Sequence, residues 1–295
     1  MIDAMRAAGT YSLAFLAGRL EIAQSSYHYA RRAAAAPDRL AWLRGPVREE
    51  FEAEGGARGY RTVWARLRRR PEPIVVSEKV VRRVMREEGL VAATARRPRR
   101  RWSSYAGEAS PAPPNLPLRE DGTHDFSAGA PGELWVTDIT EFRLPCGSRS
   151  YLSAVVDCFD GMLVSWSVSS RPDARLANSS LEAACAALRP GERPVVHSDR
   201  GGHYRWPGWI AICEEHGLTR SMSRKGCSPD NAACEGFFGR LKNEFFHHRD
   251  WRGVAPAEFA ARLDEWLRFY NDGRIKRSLG WMSPTEYRRS LGLIA

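Results

Sequence analysis

The chain has 295 residues, 45 Lys+Arg against 35 Asp+Glu for a formal net charge of +10, and 43% hydrophobic residues. That length predicts two or three domains. The apolar fraction supports a buried core, while no apolar run reaches the ~20 residues of a membrane span, which excludes a transmembrane protein of helical type. The start, MIDAMRAAGTYSLAFLAGRLEI, lacks a basic stretch followed by a cleavable apolar one, so no export signal is expected. Six cysteines without a CxxC pair read as reduced thiols of a cytoplasmic protein rather than a disulfide or zinc scaffold.

The charge is uneven. Residues 1–120 carry 23 Lys+Arg against 13 Asp+Glu, and residues 121–295 carry 22 against 22, so the whole surplus of ten lies in the front. A basic front suits a polyanion, although only four of the 45 basic residues are lysine and arginine richness also follows from GC-rich coding. In chain order, residues 10–32 suit two short helices with a turn near Ile22–Gln24, and residues 46–70 one or two more, broken at Gly55–Gly56. SEKVVRRVMREEG, residues 77–89, predicts a helix with Ser77 as N-cap, Val80, Val81 and Met85 on one face, and Gly89 as stop. Helices of this size with outward arginines fit helix-turn-helix units or a plain small bundle. Residues 1–94 are therefore expected to form a helical region. Residues 95–132, rich in Pro, Gly and Ser, are expected to form a linker whose Arg99, Arg100 and Arg101 grip phosphates.

From residue 133 the periodicity changes. ELWVTDITEFRLP, YLSAVVDCF and MLVSWSVSS predict three antiparallel strands joined by CGSR and by the Asp160-Gly161 turn. A helix follows at about 173–188, then the strand RPVVHS, a helix at 203–216 and the short strand GLTRSMS. A long helix is expected from Ser228 as N-cap with Pro229 at its first position. A last helix is expected over about 255–271, and Ser283 is expected to cap a short one. The class is α/β, a sheet covered on both faces.

Three acids stand where the chain otherwise buries: Asp138 mid-strand, Asp199 closing a strand in VVHSDRGGHY, and Glu235 opening EGFFGRL on the long helix. Ionised carboxylates are costly there without compensation. Hard divalent cations hold such groups through oxygen, and magnesium takes one or two carboxylates plus water and substrate phosphate. Two such ions suit phosphodiester displacement. Lys242, two helical turns beyond Glu235, could hold an entering phosphate, and Gly201 and Gly202 would keep the approach to Asp199 open. Each acid taken singly is as well explained by structure. His197 and His203 are expected to orient the acids or touch DNA, since no third soft ligand sits at metal spacing. Asp157 and Asp160 flank an ordinary turn. Cys227, Cys234, His247 and His248 fit no usual zinc spacing, and Tyr270, Asn271 and Arg274 read first as a packed helix end.

Five stretches occur in order: ELWVTDITEF, YLSAVVDCFDGMLVSWSV, VVHSDRGGHY, SRKGCSPDNAACEGFFGRLKNEFF and YNDGRIKRSLGWMSPTEYR. Together they closely resemble the DDE transposases of bacterial insertion sequences, in the family numbered three, specifically the second-frame product with a retroviral-integrase-like core. GARGYRTVWARLRRR and VSEKVVRRVMREEGL resemble the helix-turn-helix segment ahead of that core. The resemblance implies a ribonuclease H-like integrase core, a mixed five-stranded sheet with helices on both faces, over residues 133–252. The helix-turn-helix region would precede it, and a helical extension would follow over 253–295. It implies Asp138, Asp199 and Glu235 as catalytic ligands of Mg2+ or Mn2+, two ions per site. It also implies DNA contacts from Lys242, Asn231, Arg224, Lys225 and His203, cleavage at transposon ends, and joining of the 3′-hydroxyl to target DNA. A homo-multimer on DNA is implied, with an upstream-frame protein or frameshift fusion supplying end recognition. His203 and Cys227 stand where the family commonly has Gln and Asn. Two other readings use the same residues: a non-catalytic DNA-binding regulator or decayed transposase, and a structure-specific nuclease of the same fold.

Overall fold

The structure is a computed structural model that describes residues 2–7, 9, 11–35, 37–53, 55–92, 112–224 and 228–294. Arg99, Arg100, Arg101, Lys225 and Cys227 lie outside the described residues.

The front is all helical: α1 (Ile2–Ala7), α2 (Leu13–Arg19), α3 (Gln24–Ala35), α4 (Ala41–Glu52), α5 (Tyr60–Leu67) and α6 (Glu78–Glu87). Leu43, Val47 and Phe51 of α4 recur at helical spacing and meet Val63 and Leu67 of α5 and Val81, Val84 and Met85 of α6. The expected face of α6 packs on this core, and Val84 joins it. Val84 is fully buried, whereas Val80 is only partly covered. Ser77 has the extended N-cap backbone, but its side chain makes no cap hydrogen bond. The α4–α6 corner is tied by Arg44, which bonds Glu88 at 2.7 Å and Glu87 at 2.8 Å.

The rear is the expected mixed sheet. Strands β1 (Leu134–Arg143), β2 (Arg149–Asp157) and β3 (Leu163–Ser169) form an antiparallel meander. Then come α7 (Ala174–Cys185), β4 (Val195–Ser198), α8 (Pro207–Glu215) and β5 (Thr219–Met222). The order is β3-β2-β1-β4-β5, with β4 parallel to both β1 and β5. Two-residue alternation sends Trp135, Val155 and Val196 against α7 and α8 on one face. Val136, Phe142, Ala154 and Val156 face the other way. There they pack against α9 (Ala232–Leu241) and α10 (Pro256–Asp272), whose Phe237, Leu241, Phe259, Leu263 and Leu267 complete that core. The short α11 (Pro284–Ser290) starts with a full capping box between Ser283 and Glu286. Among the described residues no helix is long and apolar enough to cross a membrane.

Two local expectations are corrected. Residues Ser228–Asn231 form a 3-10 turn, and the α-helix begins only at Ala232. The reason is tertiary, because the buried Asp230 is pulled inward by side chains from elsewhere, described below. Likewise Gly202–Arg205 form a 3-10 turn, and the next helix starts at Pro207, where proline suits the first position. The end of the expected linker is docked: Pro114 O accepts from Met222 N at 3.2 Å, and Leu116 N donates to Ser221 Oγ at 2.9 Å, covering the edge strand β5.

Candidate active site

The register of β1 and β4 assembles the first two acids. Val136 pairs with His197 and Thr137 with Ser198, so the next step along both strands carries Asp138 and Asp199. Adjacent parallel strands lie ~4.8 Å apart. Residues matched in register share a face, so both carboxylates lie on the side covered by α9. Each is half-buried. Asp138 Oδ1 accepts from Ile139 N at 2.7 Å, and Asp199 Oδ1 from Gly201 N at 2.8 Å. A Cβ on Gly201 would stand 2.8 Å from Asp199 Oδ1, so a side chain there would displace that carboxylate oxygen. One on Gly202 would meet nothing closer than 3.8 Å.

The electrostatics are those of a crowded acidic pair. Burial raises the Asp138 carboxyl well above the usual carboxylate range, and the charges of Asp199 and Glu235 raise it further. Only the Ile139 amide and Lys242 oppose them. Asp199 is also raised, by burial first, against the Gly201 amide and the His203 charge. Burial lowers the Lys242 ammonium while Asp138 and Glu141 hold it up. Beneath the pair, burial and both acids push the Tyr204 phenol and the Cys234 thiol up. The Tyr204 hydroxyl, wholly buried, has no hydrogen-bond partner of good geometry among the described residues.

The third acid is held differently. Glu235 is on the first turn of α9, exposed, and near enough for its charge to act on Asp138. Among the described residues no three His, Cys, Asp or Glu side chains converge closely enough to hold a metal ion. The Asp138–Asp199 pair is thus the preassembled part. Two hard oxygen donors, raised by burial and only partly compensated by the Ile139 and Gly201 amides, Lys242 and His203, fit a hard divalent cation whose remaining positions water and substrate phosphate fill. Lys242 follows α9 at the head of a π-helical turn, Lys242–Phe246, with Nζ 5.9 Å from the Phe142 ring centre.

The remaining expected residues stand in these surroundings. His203 lies beside Asp199, half-buried, its ring against Trp206 with centroids 5.2 Å apart. His197 is fully buried and bonds Ser221 Oγ at 2.8 Å and Asp230 O at 2.7 Å, so it joins β4 to β5 and to the turn before α9. Fully buried, it bears on the acids only through this framework, by way of the turn that leads into the helix of Glu235. Asn231 is buried, its Oδ1 without a hydrogen-bond partner among the described residues. Arg224 grips Asp230 through Nε and Nη2, both at 3.1 Å. Asp157 and Asp160 share Arg288, and Asn271 bonds both main-chain groups of Leu163. Tyr270 packs in the core and Arg274 bonds Glu244, so this trio is a packed helix end.

Sequence reasoning missed Asp230. Burial works against its charge, but Arg224 and His124 hold its carboxyl down at about 2. His124 Nε2 lies 2.6 Å from one oxygen and Asn115 Nδ2 2.8 Å from the other. This cluster fixes the entry to α9 and hence the placement of Glu235. Its only local signal was an acid at a helix start, which reads as a common cap.

The Integrase core domain family matches residues 128–228 and again 235–291, and the HTH-like domain family matches residues 37–99. Over 295 residues the chain is 49% identical to a probable transposase for an insertion sequence element from Shigella flexneri, and it spans 55% of that relative's length. It is 37% identical over 278 residues to a putative transposase for an insertion sequence element of Escherichia coli (strain K12), covering 94% of each. Among solved structures, the trimeric HTLV-2 integrase catalytic core in complex with magnesium aligns with a TM-score of 0.42 at 16% identity, covering 54% of this chain and 98% of that one.

Proposed function

This chain belongs to the DDE transposases of bacterial insertion sequences, and on that premise we propose that it cuts DNA at its element's ends and joins the freed 3′-hydroxyl to target DNA. The observation that carries the proposal is the in-register pair Asp138 and Asp199, both raised by burial and Asp138 further by the Asp199 charge, on the face covered by α9, whose first turn carries Glu235. Asp138, Asp199 and Glu235 are proposed to hold Mg2+ or Mn2+, two ions per site. Bound there, the metal supplies Lewis acidity to the phosphodiester and lowers the pKa of the attacking oxygen.

The chain's own residues do the positioning. The Gly201 amide fixes one oxygen of Asp199, leaving the other for a ligand. Lys242 brings a positive charge to the edge of the acids, where a DNA phosphate enters. The Asp230 cluster holds the start of α9, whose first turn carries Glu235 on the same side of the sheet as the pair. Asn231, Arg224, Lys225, His203 and the basic Arg99, Arg100 and Arg101 are proposed to contact DNA. The helices that match the HTH-like family would bind the element's ends. Two ends require two sites, so a homo-multimer is proposed, with an upstream-frame protein or fusion adding end recognition.

The test is strand transfer from a pre-cut end into a supercoiled plasmid with Mn2+. Asp199→Asn should lower joint-product formation by about 10^3-fold, the scale of losing one strong transition-state charge contact, while duplex binding persists. Joint products at the parent level would sink the proposal. Hydrolysis without joint products would make the protein a nuclease of the same fold.

A further inference from the structure

A cleft of about 700 Å3 lies where the start of α5, the β2–β3 turn and the segment after α10 meet. Its basic lining comes from three stretches far apart in the chain: Arg58 and Arg61, Arg240 on α9, and Arg274, Lys276 and Arg277. Part of this charge is engaged in holding the fold. Arg58 and Arg274 both bond the Glu244 carboxylate, at 3.1 and 2.7 Å, and Arg61 stands 3.5 Å from Glu78. Asp160, the single acid in the lining, has its carboxylate taken by Arg288.

The rest is not balanced. The Lys276 ammonium bonds main-chain oxygens, those of Asp160 and Gly161 at 3.0 and 2.8 Å. Among the described residues no carboxylate pairs with Lys276, Arg240 or Arg277, and Arg240 and Arg277 are exposed. Burial, then the Arg274 and Arg240 charges, push the Lys276 ammonium down to about 7. The wholly buried Tyr270 hydroxyl lies beside both Arg240 and the cleft wall at Gly161. Like charges gathered without counter-charge repel one another, and an arriving anion relieves that cost.

We propose that this cleft holds the phosphodiester backbone of a DNA strand running on from the acidic site, with Arg240, Lys276 and Arg277 as its phosphate ligands. The proposal rests on the chain acting on DNA, as argued above, but not on the chemistry of the carboxylates. An open cleft whose proposed phosphate ligands come from both α9 and the segment after α10 suits a strand that passes through it better than a single enclosed phosphate ion. The distance is also suitable. Cys158 in the lining donates its N–H to Leu134 O at 2.9 Å. Asp138 lies four residues further along β1, ~13 Å at ~3.3 Å per residue, which is about four nucleotides at ~3.4 Å of rise each.

The experiment measures binding of the full chain to a duplex carrying its own element's end, across a range of salt. Arg277→Gln, at an exposed position, should weaken binding by about threefold to tenfold near physiological salt. It should also make the log–log salt slope shallower by about 1. Arg240→Gln should do the same, and Lys276→Arg, which keeps the charge, should not. Single methylphosphonates are then placed about two to six nucleotides from the cut. They should weaken the parent at one or two positions and cost Arg277→Gln nothing more there. A parental salt slope in Arg277→Gln, or additive losses at every position, overturns the proposal. Asp199→Asn serves as the separate control: it should bind with the parent's slope. If it transfers strands normally the proposed chemistry fails, while the cleft still stands or falls on the binding data.

Discussion

Two aspartate pairs lie on the same sheet, about 10 Å apart along β1 and β2, and differ in one respect that decides their roles. Asp157 and Asp160 are the more buried, at 1% and 6% exposure, yet Arg288 lies 2.9 Å from the first and 2.7 Å from the second. Asp138 and Asp199 are half-buried, stand at the next matched position along β1 and β4, and among the described residues neither is bonded by a guanidinium. Burial raises the carboxyl in both Asp157 and Asp138. Burial therefore does not distinguish a framework pair from an active one. What distinguishes them is whether the chain itself supplies the counter-charge or leaves that place to a ligand.

The largest expected effect breaks the framework pair. Arg288→Met leaves two buried carboxylates unpaired and should cost about 3–5 kcal/mol, read as a lower urea midpoint at unchanged slope. Adding Asp157→Asn and Asp160→Asn should restore part of that loss, and an unchanged midpoint in Arg288→Met would erase the distinction.

The opposite sign is expected at the acidic site. Raised carboxyls mean that the folded chain binds more protons than the unfolded one. Stability without metal should therefore fall as pH rises from ~4, the ordinary carboxylate value, through the raised native values. Asp138→Asn removes one of the repelling charges and should raise Tm in metal-free buffer by roughly 2–4 °C, or about 1 kcal/mol, at pH 8. Mg2+ should raise the parent's Tm more at pH 8 than at pH 5 and should do little for the variant. A destabilised Asp138→Asn would place that residue with the framework.

The smallest effect sharpens the comparison from outside. Ser283 caps the helix that carries Arg288, and its hydroxyl accepts from Glu286 N at 3.2 Å. Ser283→Ala should cost ~1 kcal/mol in urea unfolding without changing strand transfer. A simultaneous loss of activity would mean that α11 reaches the acidic site.

The sequence by itself determined what short-range chemistry controls. Near-continuous strand-forming runs over ELWVTDITEF and YLSAVVDCF bounded by turns marked β1 and β2, Ser283-Pro284 marked the start of α11, and acids interrupting apolar runs marked Asp138 and Asp199. These follow from backbone sterics, side-chain periodicity and desolvation, all felt within a few residues. Tertiary structure decided which acid faces which. Only the parallel register of β4 on β1 sets Asp199 beside Asp138, and only the return of α11, 131 residues after Asp157, brings Arg288 to the other pair. The same holds for Asp230, whose partners His124 and Asn115 lie 106 and 115 residues away and turn an expected helix start into a 3-10 turn. A local pattern shows that a charge is costly where it stands, but its compensating partner depends on which distant segments the packed sheet brings within a few ångströms.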